Sequence, residues 1–241
     1  MKVIVTGGAS GIGKEVSDYL ASEAFEVISV DLQENNNAKE LDVTDEVAWT
    51  DLFEQVGPVQ GLVNCAGIRT RGTIMETSMA TFEQHLKVNV TGTWLGIRSL
   101  FQNHEAGTEA SIVNISSVNA LIAVPGQAHY VASKGAISAL TKAAAIEGAP
   151  MGIRVNAIGP GAIRTPMTAE RLNDPEQVSW LEGRVPLGRV GEPNEIASVA
   201  KFLLSAESSY ITGTTVFADG GWTSNGGLTC FHYLVFIISV L

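Results

Sequence analysis

The sequence predicts an α/β fold built on a doubly wound, parallel β-sheet with helices on both faces. Three observations carry that expectation. Short apolar runs rich in Val and Ile alternate along the chain with longer stretches of helical periodicity. The first run, Lys2 to Thr6, empties into a glycine loop, Thr6-Gly7-Gly8-Ala9-Ser10-Gly11-Ile12-Gly13, that opens a helix. No interdomain linker, repeat or low-complexity tract interrupts the alternation, so residues 1–227 read as a single domain. The 241 residues suffice for one sizeable core.

Each element has its own signal. Strand, glycine loop and helix (through about Ala24) bring backbone N–H groups and a helix N-terminus against a pyrophosphate. The spacing of Gly7, Gly11 and Gly13 follows T-G-x-x-x-G-x-G rather than the generic G-x-G-x-x-G. A second apolar run, Glu26 to Val30, ends in Asp31, 18 residues past Gly13, where a carboxylate can accept from adenosine ribose hydroxyls. An acid there repels a 2′-phosphate, and Ala9, Ser10, Leu32 and Gln33 offer no compensating cation, so NAD is expected over NADP. Asn35-Asn36-Asn37 reads as loop, leaving room for only a turn and a brief strand before Leu41-Asp42-Val43.

Thr44 to Val56 reads as a helix with Thr44 as N-cap and Asp45 and Glu46 in its first turn. Val59 to Asn64 is the next strand. It runs into Cys65-Ala66-Gly67, small residues that let backbone approach a ligand closely. Met79 to His104 is a long helix with an apolar face of Phe82, Leu86, Val90, Leu95 and Ile97, and with Asn89 in its middle. A strand from Ala110 to Ile115 ends in Ser116-Ser117. A helix from about Gln127 to Gly148 carries Tyr130 and Lys134, four residues apart and so on one face. An ammonium near a phenol favours the phenolate and lowers its pKa, which suits the pair to acid/base work. Ile153 to Ile158 is a strand expected to break at Gly159-Pro160-Gly161. Residues 167–189 are polar and irregular, a candidate substrate lid with a short helix near Pro175 to Leu181. Its Met167, Leu172, Trp180, Leu181 and Leu187 suggest a partly apolar substrate. Glu192 to Leu204 is a helix, and Thr214 to Ala218 a last strand that ends in Asp219-Gly220-Gly221.

Composition narrows the function. A net charge of −10 argues against nucleic acid or an anionic membrane as partner. Cys65 and Cys230 lack metal-ligand spacing and suit a reducing compartment, with Cys65 a small buried filler rather than a nucleophile. His85, His104, His129 and His232 are scattered, so no metal site is expected. The opening apolar run is too short for a secretory signal, and a cytoplasmic location is expected.

Taken together, these ordered motifs resemble the short-chain dehydrogenase/reductase family over residues 1 to about 225. The resemblance rests on Thr6 to Gly13, Asp42-Val43, Asn64-Cys65-Ala66-Gly67, Asn89, the strand-end serines, Tyr130-x-x-x-Lys134, Pro160-Gly161 with Ile163 and Thr165, and Asp219-Gly220-Gly221. It implies a Rossmann-like sheet and a homotetramer. It further implies Tyr130 as catalytic acid/base, with Lys134 lowering its pKa and holding the nicotinamide ribose. Ser117, 13 residues before the tyrosine, would polarise the substrate oxygen, and Asn89 would hold a water in a proton relay to the lysine. The glycine loop (Gly7, Ser10, Gly11, Ile12, Gly13), Asp31 and Leu32 would bind NAD(H). Asp42 and Val43 would contact adenine, Asn64, Ala66 and Gly67 would line the cofactor, and Pro160, Gly161, Ile163 and Thr165 would hold the carboxamide. The implied chemistry is hydride transfer between a small secondary alcohol or its ketone and NAD, with Tyr130 moving the proton.

Alternatives are a 3-oxoacyl-thioester reductase, which Asp31 disfavours, and a non-catalytic NAD-binding scaffold or redox sensor, which has no need of all four catalytic-type residues. Residues 228–241 depart from the family pattern. They are almost wholly apolar yet shorter than the roughly 20 residues of a spanning helix, and are expected to lie in an oligomer interface rather than at a membrane.

Overall fold

β1 (Lys2–Thr6) is an interior strand, and Val3, Ile4 and Val5 are wholly inaccessible, as a parallel strand covered on both faces must be. In the computed structural model, which describes residues 1–33 and 38–225, β1 pairs with β2 (Glu26–Asp31) on one side, and β3 (Lys39–Glu40) extends that edge. β4 (Gly61–Asn64) lies on the other side, followed by β5 (Ala110–Ile115), β6 (Ile153–Pro160) and β7 (Thr215–Ala218). All pairings are parallel, in the order β3-β2-β1-β4-β5-β6-β7. The expected loop at 35–37 and the apolar tail at 228–241 lie outside the described residues.

The helices, in chain order, are α1 (Gly11–Ser22), α2 (Glu46–Val56), α3 (Met79–His85), α4 (Gly92–Gln102), α5 (Ala128–Gly148), α6 (Ala169–Leu172), α7 (Pro175–Glu182) and α8 (Pro193–Leu204). The period-2 alternation of the strands sorts the core into two layers. Val3, Val5, Val63 and Val113 pack against Val16 and Leu20 of α1 and Ile196, Ala200 and Leu203 of α8. Ile4, Leu62, Ile112 and Val155 face the other way, onto Trp49, Leu52 and Phe53 of α2, Leu95 and Leu100 of α4, and Ala144 of α5. A third, smaller cluster of Val118, Leu181, Val185 and Trp222 sits over the carboxyl ends of the strands and roots the 167–189 segment there.

Four expectations change. The N-cap of α2 is Asp45, not Thr44: its Oδ1 accepts from Val47 N–H at 2.8 Å and Ala48 N–H at 3.3 Å, while Thr44 gives its N–H to Asp42 Oδ1. β6 does not break at Gly159. It stays paired with β7 through Pro160, because β5 has ended at Ile115 and the missing proline N–H forfeits no bond on that side. The long helix at 79–102 is interrupted by a π-helical stretch, Leu86–Thr91, which re-phases its faces. Phe82 is therefore exposed, while His85 and Asn89 are fully buried. The histidines are not all scattered. His85 and His129 meet edge-to-face at 4.3 Å between α3 and α5, tied through Thr70, Thr77 and the Thr81 carbonyl. Both are satisfied core residues.

Candidate active site

The carboxyl ends of β1, β4, β5 and β6 form one rim, with Thr6 in register with Asn64, Asn64 with Asn114, and Ile115 with Ile158. From β1 the chain winds outward to β2 and β3, and β4 then takes up β1's other edge. A crevice opens at such a switch point. Every residue expected to bind cofactor or carry chemistry lines this crevice except Asn64 and Asn89.

The glycine loop is a cradle with no room for a side chain at Gly7 or Gly13. A Cβ on Gly13 would stand 2.2 Å from the Gly7 carbonyl oxygen, and one on Gly7 (φ +68) would stand 2.9 Å from Ala66 N. Thr6 Oγ1 braces the neighbouring turn by accepting from Cys65 N–H at 3.1 Å and Ala66 N–H at 3.0 Å. Asp31 closes the far end, its carboxylate held by Ala9 N–H at 3.0 Å and Gln33 N–H at 3.3 Å. A glycine-rich loop opening a helix N-terminus, beside a fixed carboxylate, fits a dinucleotide lying pyrophosphate-down on α1 with its adenosine ribose at Asp31.

Asn64 does not line the cofactor crevice. Its amide points into the sheet-facing core, donating to Asn114 Oδ1 at 2.8 Å, and Asn114 donates on to Thr141 of α5 at 3.0 Å. This buried chain fastens α5 to the sheet. Asn89 is likewise a clamp. Its Oδ1 accepts from Ile68 N–H at 2.8 Å, and its Nδ2 donates to the Ile68 carbonyl at 3.0 Å and to Ser133 Oγ at 2.9 Å. Both amide donors are thus used inside the protein, while the amide oxygen keeps a second lone pair. The π-helical stretch turns Asn89 inward to pin the loop after β4 against α5.

Around the reacting centre, the serines separate by geometry. Ser116 Oγ is committed to the Lys134 carbonyl and Ser138 of α5, whereas Ser117 hydrogen-bonds the Tyr130 phenol. Ser117 Oγ also accepts from Asn119 N–H at 3.1 Å, which orients it. Burial pushes the Tyr130 pKa up; the Arg69 charge and the Ser117 hydrogen bond oppose that rise. The Lys134 ammonium lies 5.6 Å from the Tyr130 ring and donates to the Ile115 carbonyl at 2.7 Å. Burial pulls its own pKa down to about 8. Arg69 is thus a further cation, beside the expected Lys134, that favours the phenolate. Cys65 has its thiol pushed up to about 12 by burial, which leaves it no thiolate at neutral pH.

Sequence reasoning missed Arg69, Gln127 and Arg171, which also line the crevice, with Arg69 Nε donating to Gln127 Oε1 at 2.9 Å. Arg69 sits two residues past Gly67, immediately after a motif that was legible. Arg171 follows from no local pattern. Among the described residues no group of His, Cys, Asp or Glu is placed to hold a metal ion, and no helix is long and apolar enough to cross a membrane.

Residues 7–223 match the family model described as enoyl-(acyl carrier protein) reductase. Among curated proteins, the chain is similar to cyclopentanol dehydrogenase of Comamonas testosteroni (36% identical, covering 92% of this chain and 97% of that one). It is also similar to galactitol 2-dehydrogenase (L-tagatose-forming) of Cereibacter sphaeroides (40% identical, 91% and 93%). Among solved structures, 4-hydroxyisoleucine dehydrogenase complexed with NADH superposes with a TM-score of 0.85 at 31% identity, covering 92% of this chain and 98% of that one. An Agrobacterium tumefaciens structure with bound NADP reaches a TM-score of 0.86 at 30% identity, covering 92% and 96%.

Proposed function

The chain belongs to the short-chain dehydrogenase/reductase family of oxidoreductases, and on that premise we propose that it is an NAD-dependent dehydrogenase of a secondary alcohol, or reductase of the matching ketone. The observation that carries the reading is the convergence of Ser117, Tyr130 and Lys134 at one end of a crevice whose other end is Asp31. Relatives named for cyclopentanol and galactitol support the alcohol, and neighbours holding NADH and NADP support a nicotinamide dinucleotide. The choice of NAD rests on Asp31, whose carboxylate would repel a 2′-phosphate, with Leu32 and Gln33 beside it uncharged.

The bound dinucleotide supplies the hydride acceptor. Gly7 to Gly13 would receive its pyrophosphate, Asp31 its adenosine ribose, Asp42 and Val43 its adenine, and Ile163 with Thr165 its carboxamide. Lys134 would reach the nicotinamide ribose. Ser117 holds the substrate hydroxyl beside the Tyr130 oxygen, and Tyr130 takes the hydroxyl proton as the carbon gives up its hydride. A buried phenol is a weak acid, so Arg69 and Ser117 are needed to bring the phenolate within reach. Ala66, Gly67 and residues of the 167–189 segment, Leu172 and Leu181 among them, line the same crevice.

The test is initial-rate measurement on a panel of secondary alcohols and ketones with NAD(H) and NADP(H), for the wild type and Tyr130→Phe. Turnover with NAD(H) that falls at least about 1,000-fold in Tyr130→Phe, with NADH binding retained, is expected, since general acid–base catalysis contributes about 100- to 10,000-fold. Full activity in Tyr130→Phe would remove the assignment. Tight NADH binding without turnover on any compound would favour the scaffold reading.

A further inference from the structure

The crevice contains a feature that a plain alcohol dehydrogenase has no use for. Arg69 and Arg171 both line it, and Arg69 is near enough to Tyr130 for its charge to favour the phenolate. Arg71 and Arg171 line the groove that continues outward from it. None of Arg69, Arg71 and Arg171 forms an ion pair among the described residues, although the chain carries 25 acidic residues against 15 basic ones. The acid nearest to hand, Glu76, lines the same outer groove but is held by the Thr73 N–H at 2.9 Å and hydroxyl at 2.8 Å.

Arg171 is the most exposed to this imbalance. Its Nε is buried with no hydrogen-bond partner. Its guanidinium lies 4.6 Å from the Trp180 ring, and Arg184 takes the same ring at 3.7 Å. A cation–π contact holds a guanidinium in place yet consumes none of its N–H donors. Burial and repulsion from Arg69, Arg71 and Arg184 pull the Arg171 pKa down to about 10, still high enough to keep it charged at neutral pH. Like charges gathered in a partly dry site, with donors to spare, are costly to the folded protein until an anion joins them.

We propose that the substrate is a secondary alcohol that also bears a carboxylate, a hydroxy acid or its keto acid, whose carboxylate is bound by Arg171 and Arg69 while its hydroxyl lies against Ser117 and Tyr130. This rests on the dehydrogenase reading above and specifies its substrate class. A planar guanidinium matches a carboxylate in two parallel hydrogen bonds, and Gln127 fixes Arg69 through Nε, leaving its terminal nitrogens free to turn to the ligand. Leu172, Leu181 and Trp222, which line the same cavity, would enclose the carbon chain between the two polar ends. Arg69 then serves twice, raising the share of phenolate at Tyr130 and anchoring the substrate. Arg69 acts on Tyr130 and Arg171 lies within reach of Arg69's charge, so the cluster is not a pocket for an adenosine 2′-phosphate beside Asp31.

The experiment compares 2-, 3- and 4-hydroxy acids of four to six carbons with their methyl esters, using NAD and the wild type, Arg171→Gln, Arg171→Lys, and Arg98→Gln as a control from the Glu46 ion pair on the surface. Acids are expected to exceed their esters in kcat/KM by at least 10-fold. Arg171→Gln should lower kcat/KM for the acids roughly 10- to 100-fold, mainly through KM, and leave the esters and the NADH dissociation constant within about 2-fold. Arg171→Lys should recover part of the loss, and Arg98→Gln should change nothing. A second readout, independent of turnover, is tryptophan fluorescence of the NADH-loaded protein titrated with the keto acids, which should report saturable binding that Arg171→Gln abolishes. Esters that match or outpace the acids would overturn the proposal and leave the dehydrogenase reading standing. Equal losses for acids and esters in Arg171→Gln, or a weakened NADH affinity, would likewise overturn it. If nothing is turned over, the dehydrogenase reading fails, and the titration still decides whether the arginines bind a carboxylate.

Discussion

Replacing Lys134 by Met tests the energetics of the site directly. Lys134 is only 5% exposed, and burial lowers its pKa from 10.5 to about 8. That gap corresponds to roughly 3 kcal/mol by which the folded state disfavours the ammonium relative to the unfolded chain. Below about pH 8 both states hold the proton and the penalty is fully present. Between about 8 and 10.5 the unfolded chain binds more protons than the folded one, so stability rises with pH and the penalty is relieved. Methionine has similar length and no charge, so the variant lacks this pH dependence. It also leaves the Ile115 carbonyl without its 2.7 Å donor, a pH-independent loss of about 1–3 kcal/mol.

The variant should therefore be about as stable as the wild type at pH 7, and less stable by about 1–3 kcal/mol at pH 10.5, while losing turnover at every pH. The assay is urea unfolding at one protein concentration without dinucleotide, at intervals from pH 7 to 10.5. Other groups that titrate in this range are common to both proteins and cancel in the difference. A wild-type-minus-variant difference that stays flat to within about 1 kcal/mol across the range would show that burial does not depress Lys134, and the reasoning would fail.

Three further substitutions probe the parts separately. Arg69→Gln removes a cation that favours the Tyr130 phenolate, so with an uncharged alcohol the apparent pKa in kcat/KM should move to higher pH and the rate at pH 7 should fall; an unmoved profile would refute the role. Gly13→Ala drives a Cβ to within 2.2 Å of the Gly7 carbonyl and 2.9 Å of the Thr6 carbonyl, backbone atoms that cannot swing aside. It should destabilise by about 3 kcal/mol or more and abolish NADH binding, read by thermal unfolding and nicotinamide fluorescence. Ala24→Gly acts in the opposite direction, because Ala24 is the only non-glycine with positive φ (62°) among the described residues. Relief of that strain, less the extra backbone entropy of glycine, should stabilise by about 0.5–1 kcal/mol and raise Tm by a few degrees.

The architecture was legible because periodicity and punctuation agree. Val3-Ile4-Val5 alternates between two cores, and the glycines that follow leave no other backbone path than the turn into α1. Asp31, Ser117, Tyr130 and Lys134 were legible for the same reason: each sits at a strand end or on a helix whose position the topology fixes. Asn64 and Asn89 are harder to read because a polar residue in a motif looks the same in sequence whether it faces a ligand or a neighbouring backbone. Only the bonds to Asn114, Ile68 and Ser133 reveal clamps. The inward turn of Asn89 depends on a π-helical stretch, a one-residue slip that a 3.6-residue period does not encode. Arg171 was illegible because its meaning lies in three other arginines brought near it from two distant segments.

Tyr130 and Lys134 are both desolvated, one raised and the other lowered in pKa, so burial disfavours the charged form of each, although a lysine pKa of about 8 still keeps the ammonium at neutral pH. A neutral phenol makes a poor base for an alcohol. Arg69, whose guanidinium stays protonated even though burial lowers its pKa, adds a second charge that favours the phenolate. The Ile115 carbonyl meanwhile holds the Lys134 ammonium, which lies 5.6 Å from the Tyr130 ring. On the proposed reading, in which Lys134 reaches the nicotinamide ribose, the tyrosine's proton affinity and the lysine's hold on the cofactor have different main partners. Each should respond to its own substitution, Arg69→Gln in the pH profile and Lys134→Met in NADH affinity as well as stability. If both variants moved both quantities equally, the two groups would have to be treated as one coupled unit.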